Sequence, residues 1–390
     1  MDYATRWDGP VRDAIPSPGG HASYRATTSV IRGPAVLEAP GGAELDDLLE
    51  AAGAPLTARR TWLRAWVRAY EPAGPEAVVV RDEATGRLDG VAVLWARAGA
   101  DHDVVAPLGR RQSDRGALPA RHAAAAEALA AAVTAHLRAR RRPWLLRLGQ
   151  LPAGDPVAAA MVRRLGGGAR LVPGVAIPKV EFGGATSVAD WLGGGLRKQL
   201  RKARNRLDVD GVEAATAFTC DAGEVAVLID EIEHTHRARE RDADRTSDLD
   251  APPGLRFWRA AILDHAARGE LEVATLRLDG HLAAYVVSLL DRDVLRVFDG
   301  RCSTASARYS PGRLLETAVL ERALAEPRFA RVDWMNGLAS EKLLTANAVE
   351  HTEHLVAASS GLVVDVDVMG HAPAAAAPGA GVLTLASGAR

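Results

Sequence analysis

Apolar positions along this chain recur with two periods, and each period marks a kind of element. In ARRTWLRAWVRAY (58–70), Trp62, Leu63, Trp66 and Tyr70 fall on one helical face. Runs of period two follow. EAVVVRDEATGRLDGVAVLWARAG predicts a hairpin with strands at 78–80 and 91–95, turning through DEATGRLDG. A strand near Val104, an Ala-rich helix over 120–140, the buried strand PWLLRLGQLP and a short helix over 156–165 complete a first half. The second half predicts a helix from 222 to about 241. PPGLRFWRAAILDHAARG (252–269) follows as a helix with Pro at its start and Gly at its stop. Three strands come next, 271–278, 282–290 and 294–300, joined by DG and DRD turns. YSPGRLLETAVLERALAE predicts a helix, RFARVDWMNG a strand and ASEKLLT a short helix. EHTEHLVAA and GLVVDVDVMG are the expected closing strands. The order of elements is mixed α/β.

Outside these patterns the chain is weakly periodic. Residues 1–33, rich in Pro, Gly, Ser and Thr, are expected to be a flexible arm, with at most an early strand at 29–31. Residues 370–390 are low in complexity and expected to be a disordered tail. Between them, 34–185 and 186–369 are the expected domains. A length of 390 residues suits two such units.

Charge narrows the partners. The net charge is −1, so no global field favours DNA or a membrane surface. Cys220 and Cys302 stand far apart, without metal spacing or a disulfide framework, which fits a reduced cytoplasm. MDYATRWDGP lacks an apolar h-region, so a leader is not expected, and no run of about 18 apolar residues predicts a span.

Any electrostatic site must therefore be local, and LRKQLRKARNRL (196–207) is the strongest candidate. Leu196, Leu200, Ala203 and Leu207 form an apolar stripe. Arg197, Arg201 and Arg204 flank it, and Lys198 and Lys202 form a neighbouring ridge. The stripe has no Trp or Phe, which argues against a membrane-surface helix. Two readings stay open: a solvated basic face, or cations for a phosphorylated ligand.

The segment VLRVFDGRCSTASARYSPGRLL (294–315) runs strand, loop, helix. Pro311 suits the first helical turn, and Gly312 would let a ligand approach the backbone. The N–H groups of Gly312, Arg313 and Leu314 would face out from the helix N-terminus as a phosphate site, with Arg313 adding a cation. An ordinary helix start with Ser310 as cap is the alternative. His234 and His236, two apart on a helix, cannot share a metal, and His351 and His354, three apart in a strand, face opposite ways, so no metal is expected. No G-x-S-x-G elbow, P-loop or H-E-x-x-H motif occurs.

Taken in order, TWLRAW, PLGRRQSD, LRKQLRKARNRL, LRFWRA, LEVATLRLDGHLAAYVVSLL, RYSPGRLL, RVDWMNG and EKLL resemble the GNAT acyltransferase superfamily. The likeness is to its two-domain branch of Fem-type transferases and exopolysaccharide-cluster acetyltransferases, over roughly 55–357. It implies two GNAT-like domains packed together, with acyl-CoA or acetyl-CoA as co-substrate and no metal. Tyr309, Ser310, Gly312, Arg313 and Leu314 stand where the family wraps a pyrophosphate, although Leu314 replaces the usual second small residue. Lys342 stands where the Fem-type branch carries a Lys, here without the following aromatic. Ser113 and Asp114 match a family loop on the acceptor side.

Acyl transfer to an amine needs a proton acceptor, an aligned carbonyl and a stabilised oxyanion. Asp299, with Asp333 as the other strand-end carboxylate, is the first candidate to polarise or deprotonate the acceptor; a turn Asp before Gly is the bland alternative. His236 is a candidate base because imidazole titrates near neutral pH, or else a solvated surface residue. Lys342 and the Ser113–Asp114 loop likewise have surface readings. Arg197 and Arg201 would supply cations to the donor or acceptor. The implied reaction is direct transfer from acyl-CoA to the amine of a small molecule, sugar or peptide, by a monomer or homodimer. The alternatives are an aminoacyl-tRNA-dependent Fem-type transferase, for which no long heptad arm is found, and a noncatalytic protein of the same fold.

Overall fold

A computed structural model describes residues 24–110, 112–337 and 340–362. Twelve strands form one sheet. The first half supplies β1 (Ala26–Arg32), β2 (Pro75–Asp82), β3 (Leu88–Ala98), β4 (Asp103–Pro107), β5 (Trp144–Pro152) and β6 (Ala169–Glu181). The second supplies β7 (Ala214–Thr219), β8 (Leu271–Leu278), β9 (His281–Asp291), β10 (Val294–Cys302), β11 (Arg331–Asp333) and β12 (Ala348–Ala358). The helices are α1 (Gly42–Ala51), α2 (Arg60–Tyr70), α3 (Ala123–Arg138), α4 (Pro156–Leu165), α5 (Gly194–Asp210), α6 (Ala222–Asp242), α7 (Pro252–Ala266), α8 (Pro311–Ala325) and the single turn α9 (Ser340–Leu343). The mixed α/β class and the joining of two halves stand as expected.

The order across the sheet is β1-β2-β3-β4-β5-β12-β6-β11-β10-β9-β8-β7. The two halves therefore exchange strands. β12 pairs with β5 on one side and β6 on the other, and β6 pairs with β11. A boundary at 185/186 cuts the chain between β6 and α5 but does not separate two sheets. Ala26–Arg32, placed in the expected arm, instead pairs with β2 along its whole length. The expected strand over GLVVDVDVMG lies beyond the described residues except for its first two positions.

Two helical layers bury the sheet. On one side Trp62 of α2 is fully buried, with Phe257 of α7 and Phe298 of β10 edge-on at 5.1 and 5.0 Å. This core crosses between the halves, and burying each such ring contributes about 1.5–3 kcal/mol. On the other side α5 and α8 cover β8–β11, and α3 and α4 cover the first half. Leu196, Leu200, Ala203 and Leu207 of α5 are buried as the stripe predicts. Gly211 ends α5 in the left-handed region, φ 65°, where a side chain would be strained.

Three elements escape the sequence pattern. α1 has Leu45, Leu48 and Leu49 at helical spacing inside the segment GAELDDLLEA. β6 carries Pro173, Pro178 and Gly174, which read as breakers, and β7 is the Ala-rich AATAFT. β11 spans only three residues, because Trp334–Gly337 leave the sheet in a turn with Met335 at φ 58°.

Candidate active site

β10 shapes the site. Val294–Arg296 pair in parallel with Arg331–Asp333 of β11, and there the pairing stops. On the β9 side a bulge intervenes between Val297 and Asp299, with Phe298 the extra residue. Past Arg296, β10 diverges from the turn after β11 and aims Asp299 and Arg301 at α6 and α7.

Asp299 is buried, and its carboxylate is saturated with donors. Oδ2 accepts from Tyr285 Oη at 2.9 Å and Trp258 Nε1 at 3.0 Å, and lies 3.1 Å from His236 Nδ1. Oδ1 accepts from the Gly300 amide at 2.8 Å and the Arg301 guanidinium at 3.0 Å. Burial alone would raise its pKa, but Arg301 and then His236 and Tyr285 outweigh that and hold it well below the usual carboxylate range. Such a carboxylate is a poor proton acceptor, and its five donors place it to orient its neighbours.

His236 is 6% exposed, so it is not the solvated surface histidine of the alternative reading. Thr235 and His236 sit on the buried face of α6, against Trp258 and Tyr285. Because ionised Asp299 only accepts, the hydrogen on the neutral imidazole lies on Nδ1 and the lone pair on Nε2. Burial and Asp299 push the Tyr285 phenol well above its ordinary range, so it stays a donor. Arg301 is anchored by Glu240 Oε1 at 2.7 Å, and Arg245 holds the other oxygen of that carboxylate at 2.6 Å.

The turn after β11 brings together two predicted residues from different halves. Asn336 donates from Nδ2 to Asp114 Oδ1 at 2.7 Å. Lys342 Nζ donates to the main-chain oxygens of Trp334 at 2.8 Å and Asn336 at 2.6 Å. Both predicted residues thus hold the Trp334–Gly337 turn. Burial raises the Asp114 pKa. Ser113 donates to the Thr57 carbonyl at 2.8 Å and fixes its own loop. Beside them, Arg115 bonds Asp333 at 2.7 Å and Glu350 at 2.6 Å, Arg296 also pairs with Asp333, and Lys179 with Glu350. Asp333, the second predicted carboxylate, is fully enclosed in this network.

The β10–α8 turn is built differently from the sequence expectation. Ser310 adopts the left-handed region, φ 51°, and makes no side-chain cap. A Cβ at Gly312 would lie 3.4 Å from Cys302 Sγ, an ordinary contact, so the thiol packs beside this glycine. The Leu314 amide bonds the Ser310 carbonyl at 3.2 Å, and its side chain lines a cavity of about 500 Å³ with Leu207, Phe218, Leu276, Arg204 and Arg322. Arg313 bonds Glu316 at 2.5 Å. Tyr309 Oη donates to Asp210 Oδ2 at 2.8 Å, which lifts the phenol pKa, and Arg308 bonds the same carboxylate at 2.6 Å. The turn is therefore docked on the end of α5.

Arg197 and Arg201 are exposed on α5, on the sheet side opposite His236. The structure does not bring them to the His236–Asp299 pair. Sequence reasoning missed Tyr285, Trp258, Arg301, Glu240 and Asn336. Only the D-G-R order after Asp299 hinted at one of them, since the others come from separate elements. Among the described residues no group of three or more His, Cys, Asp or Glu could hold a metal, and no helix is long and apolar enough to cross a membrane.

No curated protein matches the chain. Among solved structures it is similar to FemX, at 9% identity and a TM-score of 0.56, over 80% of this chain and 95% of that one. A conserved protein of unknown function from Bacteroides thetaiotaomicron gives 12% identity and a TM-score of 0.51 over 81% and 97%. A tandem GNAT protein from the clavulanic acid biosynthesis pathway is 18% identical over 85% and 98%, at a TM-score of 0.43. At these identities the first two likenesses are of fold. Residues 194–343, which run from α5 through α9 and hold both the His236–Asp299 pair and the β10–α8 turn, match the model of the acetyltransferase (GNAT) domain.

Proposed function

We propose that the protein is an N-acyltransferase that moves an acyl group from acyl-CoA to an amine, with His236 as proton acceptor and Asp299 as its positioning residue. The observation that carries this reading is the buried His236–Asp299 pair beside the place where β10 leaves β11. Asp299 fixes the ring and its tautomer, so that Nε2 is the basic atom. The thioester lies along the diverging edge of β10, whose main-chain N–H groups meet the carbonyl oxygen. The amine nitrogen attacks the thioester carbon, the C–S bond breaks, and the thiolate takes up a proton as coenzyme A leaves. The proton lost by the amine passes to His236 Nε2 and from there to solvent, which supplies the proton taken up by the thiolate. The turn before α8 and the cations of α5 lie on the donor side, and α6 and α7 on the acceptor side.

Titration calorimetry with coenzyme A, acetyl-CoA and a long-chain acyl-CoA tests the donor. Silence with all three rules it out. One observation favours a second reading, with aminoacyl-tRNA as donor: Arg197, Lys198, Arg201, Lys202 and Arg204 share α5 and form no ion pair among the described residues. Binding of tRNA with a steep salt slope would select that reading.

A further inference from the structure

One stretch of the central sheet holds arginine without counter-charge. Register places Arg147 and Leu145 of β5, His354 and Val356 of β12, and Arg170 and Val172 of β6 on one face. Arg97 of β3 joins them, through Val104 of β4 and Leu145. This face belongs to the side of α2, because Trp95, two residues from Arg97, packs on Trp66 at 5.8 Å. Yet the core beneath α2 and α7 draws on no residue of β5, β12 or β6. A small separate apolar group, Leu145 and Val356 with Val172 and Ala358, forms the floor here. Val356 stands directly between Arg147 and Arg170.

Arg97, Arg147 and Arg170 form no ion pair among the described residues. At the other end of the same face the carboxylates of Glu350 and Asp333 are taken by Arg115, Lys179 and Arg296. Arg147 is half-buried, and burial alone lowers its guanidinium pKa. His354 is lowered by burial and then by Arg147 and Arg110. Its Nε2 is buried without a hydrogen-bond partner. A Cβ at Gly174 would lie 2.7 Å from the ring, so that glycine makes room for it, and Gly149 packs alongside with a Cβ distance of 3.7 Å. A cation drawn from water with no anion to meet it destabilises the fold, and so does an orphaned ring nitrogen.

We propose that Arg147, with Arg97, Arg170 and His354 around it, binds the anionic group of a ligand, a carboxylate or a phosphate, whose apolar part lies on the Leu145–Val356 floor. The face shares its side of the sheet with His236 and Asp299. Resting on the function proposed above, the anion belongs to the acceptor, and the substrate is an anionic amine.

Thermal unfolding of the full chain in potassium phosphate, potassium acetate and potassium chloride at matched ionic strength tests the site. A bound anion raises Tm in a saturating way. Phosphate or acetate should do so for the parent and for R141Q, which alters an exposed neighbour. R147Q should lose the shift while its Tm in chloride equals or exceeds the parent's, since an uncompensated charge is gone. Response to phosphate alone assigns a phosphorylated acceptor, and to acetate alone a carboxylic acid. An undiminished shift in R147Q, or no shift with either anion, overturns the site. Coenzyme A titration separates the two ideas: silence there with an intact anion shift sinks the donor and keeps the site, and the reverse sinks only the site.

Discussion

His236 Nδ1 lies 3.1 Å from Asp299 Oδ2, and that oxygen also receives the Tyr285 hydroxyl and the Trp258 indole. One atom therefore orients three side chains from α6, β9 and α7. D299N keeps the shape and removes the charge that sets the imidazole tautomer. We expect its kcat to fall about 10²–10⁴-fold, with the KM for the acyl donor little changed. H236Q should fall by a similar factor, and the double variant by little more than either. Steady-state kinetics of the three checks this, and additive losses would separate the two residues.

Asp299 also has a role in folding. D299A leaves the Trp258 indole donor buried without a partner, at about 1–3 kcal/mol, and Tyr285 with only the imidazole of His236. We expect a lower denaturation midpoint with an unchanged slope.

Glu350 governs an acid-sensitive part of the fold. Burial raises its pKa, but Arg115 and Lys179 together bring it down to about 2 from an ordinary 4.5. A depressed folded-state pKa gives stability that is complete above 4.5 and lost as pH falls toward 2. Stability against pH should therefore drop across that window for the parent. In E350Q the drop should be shallower, and equal slopes would remove Glu350 from the account.

Arg115 joins the halves, because it comes from the loop after β4 and meets Asp333 and Glu350. R115M leaves the fully buried Asp333 with Arg296 as its one remaining cation beside the Met335 amide, so breaking this pair should cost up to about 3–5 kcal/mol. Chemical denaturation reads the loss.

Lys342 fixes the turn that faces β10. K342M removes two charge-assisted bonds to main-chain oxygens, and Met335 then loses part of what holds its positive φ. Turnover should fall further than stability does. Wild-type kinetics in K342M would mean that the turn holds without it.

The long amphipathic elements were legible in the sequence because a single stripe decides each. α2, α4, α5 and α7 appear where the apolar spacing puts them. β6 was not, since Pro173 and Pro178 are tolerated only by a tertiary context that local propensity does not contain. The site was legible in part. Asp299 stands beside Gly300 in an evident strand end, and His236 was one imidazole on a charged helix. What joins them is the bulge at Phe298, which turns Asp299 toward α6, and no local pattern encodes that rotation. The β10–α8 turn was legible as a helix start, but not its anchoring, because Asp210, which Tyr309 and Arg308 bond, lies about a hundred residues away in the chain.

The exchange of β6 and β12 has a consequence for how the chain is made. β12 is the last strand described, yet it sits between β5 and β6 in the middle of the sheet. During synthesis β6 is finished long before β12 or β11 emerges, so it waits with both edges unpaired. The centre of the molecule closes only when the ribosome has passed residue 358, and a truncation between β11 and β12 leaves two open sheets in place of one.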